Sequence, residues 1–140
     1  MARRQQHIDL FLSVQREADL LSGTKLVMVQ VLFENLCACL SAAQGHGFHQ
    51  ADDRRQSALA QAQKIIKGLQ LTLDTKNRPV LSASFGQLYS YMGARLWHAH
   101  VHRDNAAIGE VLSLSRTLTT AWQSLSKGAP TWPGATTYKA

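Results

Sequence analysis

Only two cysteines and three prolines occur in 140 residues. Cys37 and Cys39 stand two apart in a helical stretch, where their side chains diverge by about 160° and cannot bridge. Both read as reduced packing residues, and no disulfide framework holds the chain. So few prolines disfavour both a turn-rich β-sandwich and a disordered polymer. Acids are scarce as well, 9 against 15 Lys and Arg, which leaves a net charge of +6 and a mild bias towards acidic partners. No uninterrupted apolar run reaches the roughly 18 residues of a membrane span. Arg3-Arg4 leads into Gln5, Gln6, His7 and Asp9 rather than into the apolar centre of a signal peptide. A cytoplasmic location without membrane insertion is expected. Catalytic patterns are absent too: there is no nucleophile motif, no phosphate-binding loop and no convergent carboxylate pair, so neither enzymatic activity nor a cofactor is expected.

What remains is helical. A chain this long buries roughly two-thirds of its unfolded surface, enough for one core without metal or disulfide. Apolar residues make up 45% of the composition, and they recur at helical rather than strand spacing. A first helix is expected over Thr24–Ala43, with Leu26, Val29, Leu32, Phe33, Leu36, Leu40 and Ala43 in one stripe. A second follows from Asp52 to Leu73, opened by Asp52-Asp53, which suit the positive end of the helix dipole, and lined by Leu59, Ala62, Ile66, Leu69 and Leu73. Asn77-Arg78-Pro79 signals the start of a third, with Phe85, Leu88, Tyr89, Met92, Leu96 and Ala99 on one side. Asp104 is the expected N-cap of a fourth, which continues through Ile108, Val111, Leu112, Leu118, Trp122 and Leu125.

The connections span Gln44 to Ala51, Thr75 to Pro79 and one or two residues near Arg103. Such short links force successive helices to lie antiparallel. The expected fold is all-α, an up-down antiparallel four-helix bundle in a single domain over residues 1–126. Residues 1–23 are read as an N-terminal helical cap segment, carrying Ile8, Phe11 and Leu12, and residues 127–140 as a flexible tail rich in Gly, Pro and Thr.

The first helix holds more apolar surface than one core face uses. At about 100° per residue, Gln30, Glu34 and Ser41 form a narrow polar strip, while Val27, Val31 and Ala38 form a second apolar patch away from the core stripe. Large open patches are uncommon on soluble monomers, so either the N-terminal segment or a partner should cover this one.

Leu32-Phe33-Glu34-Asn35, Ala62-Gln63-Lys64-Ile65-Ile66 and Leu88-Tyr89-Ser90-Tyr91-Met92, taken in that order, resemble motifs of the flagellin-specific export chaperones of the FliS family. Leu32-Phe33-Glu34-Asn35 is similar to the family's Leu-aromatic-Asp-Gly element, and Ala62-Gln63-Lys64-Ile65-Ile66 with Leu69 and Leu73-Asp74 to its second helix. More specific is Leu88-Tyr89-Ser90-Tyr91-Met92, continuing through Arg95-Leu96, Ala99, Asp104 and Glu110-Val111 to Ala121-Trp122. The chain departs from the pattern at Ser22-Gly23-Thr24, at Arg78-Pro79-Val80 and at Ser90, as a divergent member would. The resemblance implies a non-catalytic chaperone that binds the disordered carboxy-terminal region of flagellin, prevents premature polymerisation and aids delivery to the export gate. Its expected client groove is Val27, Val31, Leu32, Leu69, Leu73, Leu81, Phe85 and Tyr89. Ile8 and Phe11 match an aliphatic-aromatic pair that the resemblance links to docking on the export-gate protein or to capping of the groove.

Other readings compete. His98 and His102 share a helix face as i, i+4 metal ligands do, but His100 points elsewhere and no HExxH motif completes them, so no metal is expected. Arg3-Arg4, Arg54-Arg55 and Lys64-Lys67 are dispersed basic pairs without a nucleic-acid motif, and no specific nucleic acid is expected. A helical adaptor for another protein and a weak charge-driven nucleic-acid binder are the alternatives. The spare patch would also permit a homodimer.

Overall fold

The computed structural model describes residues 23–48, 52–77 and 79–126, together with Leu10, Leu12 and Val14. Four helices fill it: α1 (Gly23–Phe48), α2 (Asp52–Leu71), α3 (Pro79–His102) and α4 (Asn105–Ser126). No strand occurs among the described residues. The main contacts run α1 to α2, α2 to α3, α3 to α4 and α4 back to α1, so the fold is an all-α four-helix bundle closed on itself. Cross-helix bonds fix the directions. Arg55 reaches Ala99 while Gln63 reaches Gly93, and Cys37 meets Thr119 while Glu34 meets Gln123. In both pairs the numbers run in opposite senses, which is the antiparallel arrangement that the short connections dictate.

The core stripes are the expected ones. Val29, Phe33, Leu36, Leu40 and Ala43 of α1 meet Leu59, Ala62, Ile66 and Leu69 of α2, and the same interior takes in Phe85, Tyr89, Met92, Leu96, Ile108, Val111, Leu118 and Trp122. Phe33 is its hub. Its ring stacks on Trp122 and tilts against Tyr89, each at 6.3 Å between centroids, and Tyr89 in turn lies 6.0 Å from Phe85. Such pairs add to plain area burial.

Two boundaries differ from the sequence expectation. Helix α1 runs on past Ala43 to Phe48 despite Gly45 and Gly47, because Gln44 lies against α4. A Cβ on Gly109 would come within 3.1 Å of Gln44 Nε2, so glycine permits that close approach. Helix α2 ends at Leu71 rather than Leu73. Thr72 turns the chain there, its backbone N–H donating to Leu69 O at 3.1 Å and its hydroxyl to the same oxygen at 2.6 Å. Asp74 then accepts from the Asn77 backbone and side chain, 3.0 Å each, and Pro79 opens α3.

The α3–α4 junction is tighter still. Arg103 adopts φ 52°, the left-handed conformation that ends a helix, and Asp104 N–H donates back to Ala99 O at 3.1 Å. Asp104 Oδ1 then accepts from Ala106 and Ala107 N–H at 3.0 and 3.3 Å, so one residue closes α3 and caps α4. Ala99 O also accepts from Nη2 of the buried Arg55 at 2.8 Å, tying the start of α2 to this turn.

Val14 is fully buried and Leu10 packs on the same core. This pair, four residues apart, was passed over when the segment was read through Ile8, Phe11 and Leu12. Lys25–Gly45 is long and apolar enough to cross a membrane by length and composition, which a count of uninterrupted apolar residues overlooks. It is instead the bundle helix packed between α2 and α4.

Because Phe33 joins three helices, Phe33→Ala is expected to cost about 3 to 5 kcal/mol. Urea unfolding followed by circular dichroism measures this. A loss below 1 kcal/mol would show that the aromatic cluster is not the keystone of the core.

Candidate functional site

The outer face of α1 carries the largest unburied apolar residues of that helix. Val27, Met28 and Val31 are 57%, 47% and 46% exposed. Ala38 continues the same face and is also exposed. Glu34 borders the patch and accepts from Gln30 at 3.3 Å and from Gln123 of α4 at 3.2 Å, so a polar seam separates the patch from α4. At the same end of the bundle, where α1 begins, α2 stops and α3 starts, Leu71 and Val80 are also exposed.

The expected groove divides into three environments. Val27 and Val31 are open. Leu32, Leu73 and Leu81 are half-buried against the core. Leu32 leans on Gly68 and Leu73 on Gly86, each at ordinary contact distance from where a Cβ would stand. Leu69, Phe85 and Tyr89 are sealed inside the bundle, so their inclusion is corrected: they share the spacing of the core stripe because they belong to it. Met28 extends the open surface of α1 and is absent from the expected groove, whereas Leu71 and Val80 are exposed singly on α2 and at the start of α3. The buried Val14 does not cover Val27 or Val31. Ile8 and Phe11 lie outside the described residues, as does the tail over 127–140.

The opposite flank, between α3 and α4, is polar. Tyr91 Oη donates to Glu110 Oε2, and Arg95 Nε donates to Glu110 Oε1 at 2.7 Å. The hydrogen bonds from Tyr91 and then Arg95 hold the Glu110 carboxyl below the ordinary glutamate range. The same carboxylate raises the Tyr91 phenol above its usual value. Nearby, His98 Nε2 lies 3.3 Å from Asp104 Oδ2, and the rings of His98 and His102 are 4.5 Å apart. Among the described residues no three His, Cys, Asp or Glu side chains gather as a metal set. Cys37 and Cys39 are free thiols; Cys37 Sγ meets Thr119 Oγ1 at 3.3 Å, and burial pushes the Cys39 thiol up. Among the described residues the bundle thus offers an apolar surface and polar clasps.

The family model described as "Flagellar protein FliS" matches residues 13–129. The chain belongs to the FliS family. It is similar to the flagellar secretion chaperone FliS of Escherichia coli, 31% identical over 111 residues that cover 76% of this chain and 79% of that one. Similarity extends to FliS of Salmonella typhimurium, 29% over 124 residues covering 87% and 91%, and to FliSB of Pseudomonas aeruginosa, 26% over 113 residues covering 81% and 90%. FliS is a family of chaperones and not of enzymes, which agrees with the absence of catalytic motifs in the sequence. Within this FliS bundle the residues that carried the resemblance divide by role. Phe33, Tyr89 and Trp122 build the core, whereas Tyr91, Arg95 and Glu110 clasp α3 to α4.

That clasp has a pH signature. Glu110 has a depressed pKa in the folded chain, so its contribution is complete above the ordinary glutamate value and is lost as pH falls through the depressed one. Wild type is expected to exceed Glu110→Gln in urea midpoint at neutral pH, with the gap closing on acidification below pH ~4. Parallel urea titrations measure it; a gap that is constant across pH contradicts the clasp.

Proposed function

We propose that this chain binds the disordered carboxy-terminal region of flagellin in the cytoplasm, prevents its premature polymerisation and aids its delivery to the flagellar export gate. Membership of the FliS family makes it a flagellar secretion chaperone, with a flagellar protein as client. The observation that carries the finer reading is the open apolar face of α1 at Val27, Met28 and Val31.

The physical fit is direct. Terminal segments of a filament protein that assemble through amphipathic helices must keep their apolar sides hidden before export. A bundle with spare apolar surface hides them by receiving such a helix along its own, the helix-in-groove mode. Burying one Val or Leu side chain completely contributes about 1.5 to 3 kcal/mol, and these residues are already partly covered. Several together therefore give a moderate gain, offset by the entropy of ordering a disordered client. Such a balance favours binding that can be reversed at the gate. Ile8 and Phe11 are the residues we assign to gate docking or to capping the groove, within a bundle domain over 1–126.

Isothermal titration with a synthetic peptide of the flagellin carboxy terminus tests the reading. The double variant Val27→Asp/Val31→Asp should bind about tenfold or more weakly, equivalent to at least ~1.4 kcal/mol, with little change in melting temperature because both side chains face solvent. Undiminished binding by this variant would move the site off α1. No binding by the wild-type chain would favour an adaptor for a different protein, and a concentration-dependent mass in light scattering would favour a homodimer on the same face.

A further inference from the structure

A second surface lies on another side of the bundle. Between the first half of α2 and the last turns of α3 is a pocket of about 120 Å³, whose walls include Leu59, Ala60, Gln63, Leu96, Trp97 and His100. Trp97 is 63% exposed at its rim, with its ring 5.5 Å from that of His100, and Val101 beside it is exposed as well. Gln63 Nε2 is committed to Gly93 O at 3.0 Å, so the walls present hydrocarbon and aromatic surface to an incoming group.

Charge sets the identity of what comes in. From Arg54 to Arg103 the chain carries eight Lys and Arg and one acid, Asp74. Asp74 sits in the α2–α3 turn bonded to Asn77, at the far end from the pocket. Arg95 is turned to Glu110 on the α4 side and Arg55 is buried. On α2, Arg54, Lys64 and Lys67 are exposed, with Lys67 one helical turn beyond Gln63 on the same side, while Lys76, Arg78 and Arg103 fall between helices in the sequence. Asp52 and Asp53 stand at the start of α2, where negative charge suits the positive end of the helix dipole. Helix α3 contains no acid at all. The groove is therefore apolar along its floor and positive along the part of its α2 edge that carries Lys64 and Lys67.

We infer that the α2–α3 groove is a docking surface for an acidic amphipathic helix of a partner protein, with one large apolar side chain in the Trp97 pocket and flanking carboxylates on Lys64 and Lys67. Two antiparallel helices leave between them a groove that a third helix fits. A nucleic acid would satisfy the lysines but would leave the pocket of Leu59, Ala60 and Leu96 without a hydrocarbon partner. The surface is distinct from the α1 face and does not depend on the identity of the client there.

Fluorescence anisotropy on the full chain tests this with two labelled synthetic amphipathic helices. Both carry the same Leu stripe, one flanked by Glu and the other by Lys. The Glu-flanked helix should bind about tenfold or more tightly than its Lys-flanked counterpart. Trp97→Ala and Lys64→Glu/Lys67→Glu should each weaken it by a similar factor, and Val27→Asp/Val31→Asp should leave it unchanged. Binding of neither peptide, equal binding of both, or indifference to Trp97→Ala overturns the proposal. So does loss of binding in the α1 variant, which would merge this surface with the client site. Displacement of the Glu-flanked peptide by a single-stranded oligonucleotide, with the steep salt dependence of phosphate contacts, would overturn it in favour of a nucleic-acid surface.

Discussion

Phe33 stacks on Trp122 of α4 and tilts against Tyr89 of α3, while the rest of its stripe packs on α2. This contact commits the inward face of α1 completely, since rotating the helix to hide Val27 or Val31 would withdraw the Phe33 ring from the core. Dense interiors resist that exchange because a lost ring leaves a cavity that neighbours fill only in part. The outward apolar face is therefore a consequence of how the core is built. A helix apolar on nearly every side would be hidden at the centre of a larger protein. Here only four helices are present among the described residues, and α1 must serve as one wall of a bundle with its back to water.

The three described flanks then carry different chemistry. The back of α1 is aliphatic, the α3–α4 seam is closed by Tyr91, Arg95 and Glu110, and the α2–α3 groove combines an apolar pocket with lysines. Such segregation follows from the distribution of acids along the chain. Glu110 and Asp104 are both drawn to the α3–α4 side, where they cap, clasp and pair with His98. On α2 the two acids, Asp52 and Asp53, are both at its start, and no acid follows along the helix beside Lys64 and Lys67. A bundle with uniform polar flanks would be a poorer candidate for holding proteins that must be kept apart from one another.

The architecture was legible because each helix repeats its core residues often enough for the stripe to stand out, and because Asp104 and Pro79 are chemically specific start signals. Periodicity identifies a face but not what covers it. Leu69, Phe85 and Tyr89 were therefore placed with Val27 in one groove although they are interior. Conversely, Leu71 and Val80 went unnoticed as isolated apolar residues on polar faces. The expected helix end at Ala43 falls short of the observed Phe48, and no local signal encodes the approach of Gln44 to Gly109 in that added stretch. The ordered resemblance marked Tyr91, Arg95 and Glu110 as a set without revealing that they form one clasp. A buried Arg55 could not be read at all, since its partner is a backbone carbonyl 44 residues away.

That arginine gives the bundle a mechanical polarity. Ala99 O holds both the Arg55 guanidinium and the Asp104 amide, and Asp104 in turn starts α4, so three helices are riveted together at one extremity. At the other extremity Asp74 accepts from Asn77 within the α2–α3 turn, and Gln70 Nε2 of α2 donates to Ser90 Oγ of α3 at 3.5 Å. Thermal breathing costs least where fewest bonds must break. The riveted extremity is costly to pull apart, since opening it gives up the Arg55 bond and the Asp104 amide bond at one shared oxygen.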